Sequence, residues 1–585
     1  MISPIPPRPP SPALGWLLLM PAAAGTLISL VLPSVQTVLL SFESGGALTP
    51  STPAGLANYD RVLGADGPYW AALGFSLSLV LLPLLVALVA GPLLALALDR
   101  AGGLVRRAGA VVLWLSLIVF SPTAVAASWL RGLRADEPGL TSLARSLGDP
   151  ATAPGALRLI VAAATFGVVC ALAVTAFLPA LRGGAPGRAV LAVAGVVALA
   201  IPAAGLQAFT IGVALTRGGP RGATRTLAGL QYDYGFVAAQ PGMGAAVATV
   251  TGVVLGLLGV AAAIVVVASR MRLSITPRRA DLPPAADDAT APGGPREISG
   301  LAKTGGIAKT GSVATAGSVA RTGSVATTGG AAKAGSPVAV AVGVAALVVA
   351  VAVTLVLTWP WLSAFTEPAT STGAGLRTHV NTWVPALIGA VISVGTAYLA
   401  ALGIGGLRPL GRRSEWLLLP FAPWLFVGVG PLSVAGWSNF RGMRLLDTFL
   451  VLVQPFLVSV PALFVLTLLC KGLAERTDRD LLSGVVLPSL PMAGVLTGAV
   501  TLVNAQDVLW PLLVTHDREL ATAPVVQMLQ LTQFGRAAAD VALTTPLPVV
   551  VIALLAVVAA QILHLDRLTL TVGGESRSPV PETSA

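Results

Sequence analysis

The polar residues best suited to chemistry in this chain lie within or at the mouths of long apolar stretches. Gln207 lies eight residues before Leu215, near the end of one such stretch, and Phe209 follows it. Gln506, Asp507 and Trp510 cluster at the end of another. Amides and carboxylates bind hydroxyl groups, and an indole face stacks on the apolar side of a sugar ring, so this set suits a polyhydroxylated ligand. Polar groups at such depth are costly in lipid and face a cavity or another helix. Gln207 could equally serve a helix–helix hydrogen bond, and Asp507 and Trp510 an anchor at the membrane interface. Gln454, just before Pro455, reads as a partner for carbonyls that the proline frees. His379, His516 and His564 are far apart, and Cys170 and Cys470 read as two isolated packing thiols. There is no metal-ligand spacing, no Ser/His/Asp constellation and no Walker A pattern. The chain is therefore not expected to be an enzyme or to hold a cofactor or metal of its own.

The elements that position these residues must be membrane helices. Of 585 residues, 55% are hydrophobic and only 10% charged, against about 25% charged in soluble domains. Apolar runs lie near 13–42, 72–99, 107–130, 157–181, 188–215, 243–269, 337–361, 380–403, 415–436, 447–470, 485–503 and 545–565. Each is near the ~20 residues needed to cross hydrocarbon, where only internally paired backbone is tolerated. The expectation is an all-α membrane protein of about twelve transmembrane helices. The first run is too long for a signal peptide, has little basic character before it beyond Arg8, and is interrupted by Pro33, so it reads as a retained helix.

The net charge of +11 does not point to nucleic acid, because the arginines stand singly at helix ends without interleaved aromatics. They read as topology signals. Arg100, Arg106 and Arg107 crowd one short turn and Arg408, Arg412 and Arg413 another, both on the side of the amino terminus. That places the amino terminus in the cytoplasm; the arginines of 131–158 argue the other way. A usage of 32 Arg to 4 Lys, with abundant Ala, Gly and Pro, suggests a bacterium of high GC content and hence its plasma membrane.

Residues 271–335 break the pattern. A proline-rich, acidic stretch leads into a repeat with glycine at Gly305, Gly311, Gly317, Gly323, Gly329 and Gly335. One small apolar residue per repeat cannot fill a β-helix, so a flexible low-complexity cytoplasmic linker is expected. It divides a first transmembrane half, 1–270, from a second, 336–573, with a disordered tail at 574–585. Two six-helix halves entering the membrane in one orientation form a parallel repeat about an axis along the membrane normal, a common transporter plan.

Between the fifth and sixth runs stands "LTRGGPRGATRTL", 215–227. Gly218 and Gly219 permit unusual backbone angles and Pro220 stops a helix, which ends the fifth span sharply and exposes Arg217, Arg221 and Arg225. A simple capped turn accounts for the glycines and proline; docking of an external partner is the alternative.

This stretch, followed by "YDYGF" and "GMGAAVATV", resembles the signature of binding-protein-dependent ABC sugar permeases of the maltose type. "LLMPAAAGTLISLVLPSVQTVLLSF" at 18–42 and "GLANYDRVL" at 55–63 resemble the start of that family's first membrane subunit. "VVLPSLP" at 485–491 and "AQDVLWPLLVTHDRELATAPV" at 505–525 are similar to its partner subunit, so two subunits look fused in one chain. The resemblance covers roughly 13–270 and 377–573. It implies import of a sugar or similar solute, separate cytoplasmic ABC ATPase subunits that use ATP, and an extracellular solute-binding lipoprotein. It places Gln207, Phe209, Gln506, Asp507 and Trp510 at the solute path, and turns Arg217, Gly218, Gly219 and Pro220 toward the external partner.

The chain departs from the family where the ATPase docks. The Glu-Ala-Ala motif falls on Leu469-Cys470-Lys471 in the second half and on Gly183-Gly184-Ala185 in the first, so neither half keeps it. The charged segment 471–484, with Glu475, Arg476, Asp478, Arg479 and Asp480, is the better candidate for a short coupling helix. The glycine-rich 181–190 is a poor one. The alternatives are a permease-derived subunit no longer coupled to an ATPase, or a twelve-span ion-coupled secondary transporter.

Overall fold

The computed structural model describes residues 12–46, 50–131, 140–183, 185–276, 336–364, 375–476, 480–533 and 541–573. The described residues form a predominantly helical, multi-pass membrane protein. In the first half the apolar runs become α1 (Pro12–Ser41), α2 (Pro68–Arg100), α3 (Gly103–Ile118), α4 (Pro122–Leu130), α5 (Ala153–Leu181), α6 (Pro186–Thr216) and α7 (Pro241–Ala268). In the second they become α8 (Pro337–Ser363), α9 (Leu376–Leu407), α10 (Gly411–Trp424), α11 (Val429–Gly442), α12 (Val460–Ala474), α13 (Leu482–Ala505) and α14 (Leu547–Arg567). Among the described residues nine of these helices are long and apolar enough to cross a membrane, or eleven if each bent pair is one span.

Three runs do not form straight spans. The third breaks into α3 and α4 at 72°, and the ninth into α10 and α11 at 74°. The tenth, expected over 447–470, is helical only from Val460. Before it come one 3₁₀ turn, Phe449–Leu452, and an extended Val453. Pro455 denies that stretch a continuous hydrogen-bond ladder, leaving a 15-residue α12, too short at 1.5 Å per residue for ~30 Å of hydrocarbon.

Proline also shapes the straight helices. Wide π-turns span Leu27–Val31, Val86–Ala90 and Leu482–Val486. Each ends two residues before a proline: Pro33, Pro92 and Pro488. A proline ring clashes with the carbonyl four residues back, and that residue lies inside the widened turn in all three.

The halves exchange their first helices. α1 packs on α9 of the second half, and α8 packs on α2 of the first. Both seams use small residues, which let backbones approach closely in lipid. A Cβ added to Gly403 of α9 would lie 2.5 Å from the carbonyl of Gly15 in α1, and one on Gly343 of α8 would lie 2.3 Å from Ala101 Cβ at the end of α2. The last helices cross likewise: α7 packs on α10 and α11, and α14 on α3.

The end of the bundle where α1 begins is closed by strands. Besides a two-residue pair, β1 (Glu43–Ser44) with β2 (Thr52–Pro53), the described sheet is β3 (Arg272–Ile275) antiparallel to β4 (Leu568–Thr571). Each strand follows the last helix of its half and rests on the other half, β3 on α12 and β4 on α5. Residues 272–275, expected as the start of the linker, are thus ordered; 277–335 and 574–585 lie outside the described residues. Ion pairs bracket the ladder. Asp566 accepts from Arg106 Nε and Arg107 Nε, each at 2.7 Å, and Arg106 also meets Asp99 at 3.3 Å. On the opposite side Glu475 meets Arg272 at 2.7 Å and Arg408 at 2.9 Å, and Lys471 meets Glu415 at 2.6 Å.

Candidate functional site: the seam at the far end

At the other end the two halves meet around the breaks in α6 and α13. α6 is interrupted at Gln207, after a helical stretch that ends at Leu206. α13 ends at Ala505, with Gln506 as its cap. Gln207 and Gln506 therefore occupy corresponding places, and each is bonded toward the bend of the opposite half. Gln207 donates to Phe426 O at 2.7 Å and Ala203 O at 3.0 Å, and accepts from Gly428 N at 2.7 Å. Gln506 donates to Thr544 O at 3.1 Å, and the Thr544 hydroxyl bonds Ser121 Oγ, at the α3–α4 bend, at 2.8 Å. These amides carry inter-helix bonds, as the helix–helix alternative for Gln207 had it.

The remaining residues expected at the solute path pack inside the second half or against the seam. Asp507 accepts from Gln454 Nε2 at 3.0 Å and from Leu509 N at 3.1 Å. Gln454 thus serves this carboxylate rather than carbonyls freed by Pro455. Trp510 is fully buried, donates to Val451 O at 2.8 Å and meets the edge of Phe440 at 5.4 Å. It offers no open indole face and is not an interfacial anchor. Phe209 is buried and begins an aromatic row that crosses the seam. Centroid distances are 5.2 Å from Phe209 to Tyr232, 6.1 Å on to Phe236, and 6.0 Å on to Trp437 of the second half. The Arg441 guanidinium lies 5.2 Å over Trp437.

Beside this row is a cavity of about 310 Å³. The first half lines it with Arg217, Gly218, Thr224, Arg225, Thr226, Tyr232 and Asp233, and the second with Leu512, Met528 and Leu529. The polar wall is built by the glycine turn. Arg217 has φ 49°, Gly218 89°, Gly219 75° and Gly222 77°, so the chain reverses through left-handed backbone. Gly219 N donates to Thr216 O at 2.8 Å and Thr224 N to Gly218 O at 3.0 Å. A Cβ on Gly219 would lie 2.2 Å from Thr224 Oγ1. Arg225 lies along this turn: a Cβ added to Gly218 would meet Arg225 Nε at 3.6 Å and Cβ at 3.7 Å. Arg225 Nε stands 3.4 Å from Asp233 Oδ2. Burial holds the Asp233 carboxyl above its ordinary range, partly offset by the Arg225 charge.

Of the residues expected to face an external partner, Arg217 and Gly218 line this cavity, while Gly219 and Pro220 build the turn behind it. Sequence reasoning missed Tyr232, Asp233, Phe236 and Trp437; the aromatic cluster "YDYGF" was the available signal. The residues proposed for coupling lie at the opposite end. Glu475 is held in its two ion pairs, Arg476 follows in an exposed turn, and the carbonyl of Asp480 accepts from Gly484 N at 2.8 Å. Asp478 and Arg479 lie outside the described residues. Among the described residues no group of His, Cys, Asp and Glu is placed to hold a metal. No family model matches this chain, and no curated protein matches it.

Proposed function

We propose that this chain is the membrane permease of an ABC importer, two six-helix subunits fused in one polypeptide, which moves a sugar or similar hydroxylated solute inward across a bacterial plasma membrane. The observation that supports it most is the reciprocal packing. Corresponding helices of two halves exchange partners across a seam, a plan suited to rocking about a site between them. On this reading the non-helical stretch 453–459 and α12 together make the tenth of twelve crossings, the amino terminus is cytoplasmic, and separate ATPase subunits and an external solute-binding lipoprotein complete the transporter. The far-end cavity is then the entry from outside.

One observation favours a second reading, a permease-derived subunit uncoupled from any ATPase. Glu475, the first acidic residue of the expected coupling segment, is bound inside the chain by Arg272 and Arg408. The test is reconstitution with the sugar-importer ATPase of the host cell. Co-purification and ATP-dependent uptake of labelled solute are expected. If no ATPase is recovered where an ordinary permease recovers it, the importer reading fails and the uncoupled reading stands.

A further inference from the structure

The far-end cavity has a charge pattern that narrows what it takes. Its charged side chains, Arg217, Arg225 and Asp233, sum to +1. Arg225 Nε is buried and makes no hydrogen bond, although Asp233 Oδ2 is 3.4 Å away. A buried guanidinium N–H that a 3.4 Å ion pair leaves without a hydrogen bond is costly, and a planar carboxylate is an acceptor that fits it. Hydroxyl partners are also present. Thr224 donates to Thr216 Oγ1 at 2.8 Å and keeps acceptor capacity, whereas Thr226 accepts from Gly229 N at 3.1 Å and keeps its proton to donate. Leu512 and Met528 give the opposite wall an apolar face. The volume is at the small end of the range for small-molecule pockets.

We propose that this cavity binds a hydroxylated solute carrying one carboxylate, a sugar acid, in preference to a neutral sugar. The carboxylate sits against Arg225, the hydroxyls meet Asp233 and the two threonines, and the C–H face of the ring rests on Leu512 and Met528. Walls from both halves make occupancy sensitive to how the halves close. The proposal rests on the permease reading for the fate of the solute, not for its binding.

The test uses the full chain in lipid nanodiscs, with calorimetric titration of glucuronate, glucose and glucosamine. Glucuronate should bind about tenfold or more tightly than glucose, a difference of about 1.4 kcal/mol, and glucosamine more weakly still. Arg225→Gln should erase the preference for glucuronate. Asp233→Asn removes a negative charge from the same wall and should leave glucuronate binding intact or stronger. Opposite responses of these two variants exclude simple collapse of the turn. The proposal is overturned if glucose binds as well as glucuronate, if none of the three binds, or if both variants weaken glucuronate alike. Uptake in proteoliposomes separates the two ideas: glucuronate binding without ATP-driven uptake sinks the permease reading and leaves the cavity assignment. Uptake of a neutral sugar by a chain with no anion preference does the reverse.

Discussion

At the residue scale, two glycines carry the closure of the bundle at the end where α1 begins. Gly183, just beyond α5, and Gly472, in the last turns of α12, each follow a basic residue, Arg182 and Lys471. A Cβ on Gly183 would lie 1.9 Å from Leu570 O of β4, and one on Gly472 would lie 1.9 Å from Leu273 O of β3. Neither carbonyl can yield without moving its strand. Gly183→Ala and Gly472→Ala should each cost about 1–3 kcal/mol, the usual cost of overpacking, read as a lower melting temperature in detergent. Gly252→Ala in α7, where the added methyl meets open space, should instead stabilise by about 0.5–1 kcal/mol. The glycine-rich 181–190 looked from the sequence like a turn that cannot dock a partner. Its glycine makes room for a strand nearly 390 residues away, a contact that no local pattern announces.

Asp447 gives a pH dependence whose sign follows from its bonds. Its carboxylate accepts from the backbone N–H groups of His516 and Asp517 and meets His516 Nδ1 at 3.4 Å. The His516 backbone bond is the leading cause that holds the carboxyl below its ordinary range. A depressed acid stabilises the fold above its unfolded value of about 3.9. It loses that contribution as pH falls through its folded value. The melting temperatures of the wild type and Asp447→Asn should therefore differ at about pH 6 and converge toward about pH 3. A constant difference over that range would remove the carboxylate from the explanation. Asparagine suits the site, because Asp447 has φ 57°.

At the element scale, much of the architecture was legible. Each of the twelve apolar runs coincides at least in part with a helix, because length and hydropathy alone decide what lipid accepts. The bends at 72° and 74° were not legible, since hydropathy does not register direction. The shortening of the tenth run was signalled by Pro455 but outweighed by its apolar neighbours. The positions of Gln207 and Gln506 were found because polar residues stand out in apolar runs. Their partners were not, because Gln207 bonds Phe426 O and Gly428 N of the opposite half and Gln506 bonds Thr544 O, 38 residues on. The β3–β4 ladder was invisible: "RLSI" and "LTLT" are too short to signal strands, and one was read as linker. Its register is testable. Ser274 pairs with Thr569, with hydroxyls 3.0 Å apart. Ser274→Cys with Thr569→Cys should oxidise to a disulfide. After proteolysis within 277–335, the halves should run as one band without reductant and two with it. Two bands under both conditions would refute the register.

At the scale of the whole molecule, the exchange of first helices makes the halves interdependent. In lipid there is little hydrophobic force between helices, so what holds them is close packing and hydrogen bonds that water cannot replace. Many such bonds cross the seam. Trp424 Nε1 donates to Ser34 Oγ at 3.0 Å, Leu457 N to Ser29 Oγ at 3.2 Å, and Gln231 Nε2 to Ser433 Oγ at 3.0 Å. Asn439 donates to Gln36, and Gln207 fastens the α10–α11 bend. At the strand end Asp566, nearly buried, would leave Arg106 and Arg107 without their shared carboxylate if its half were absent. Each lost partner leaves a polar group in or near hydrocarbon at about 1–3 kcal/mol, and several together are comparable with the stability of an ordinary domain. Residues 1–276 and 336–585 should therefore fail to accumulate as monodisperse proteins when expressed separately. Expressed together as two chains without the linker, they should co-purify one to one and melt near the intact protein. Connection through the linker is then a matter of stoichiometry, not of fold. If 1–276 alone is monodisperse and melts within a few degrees of the full chain, α1 and α2 do not depend on the second half, and the exchange is not what holds the molecule together.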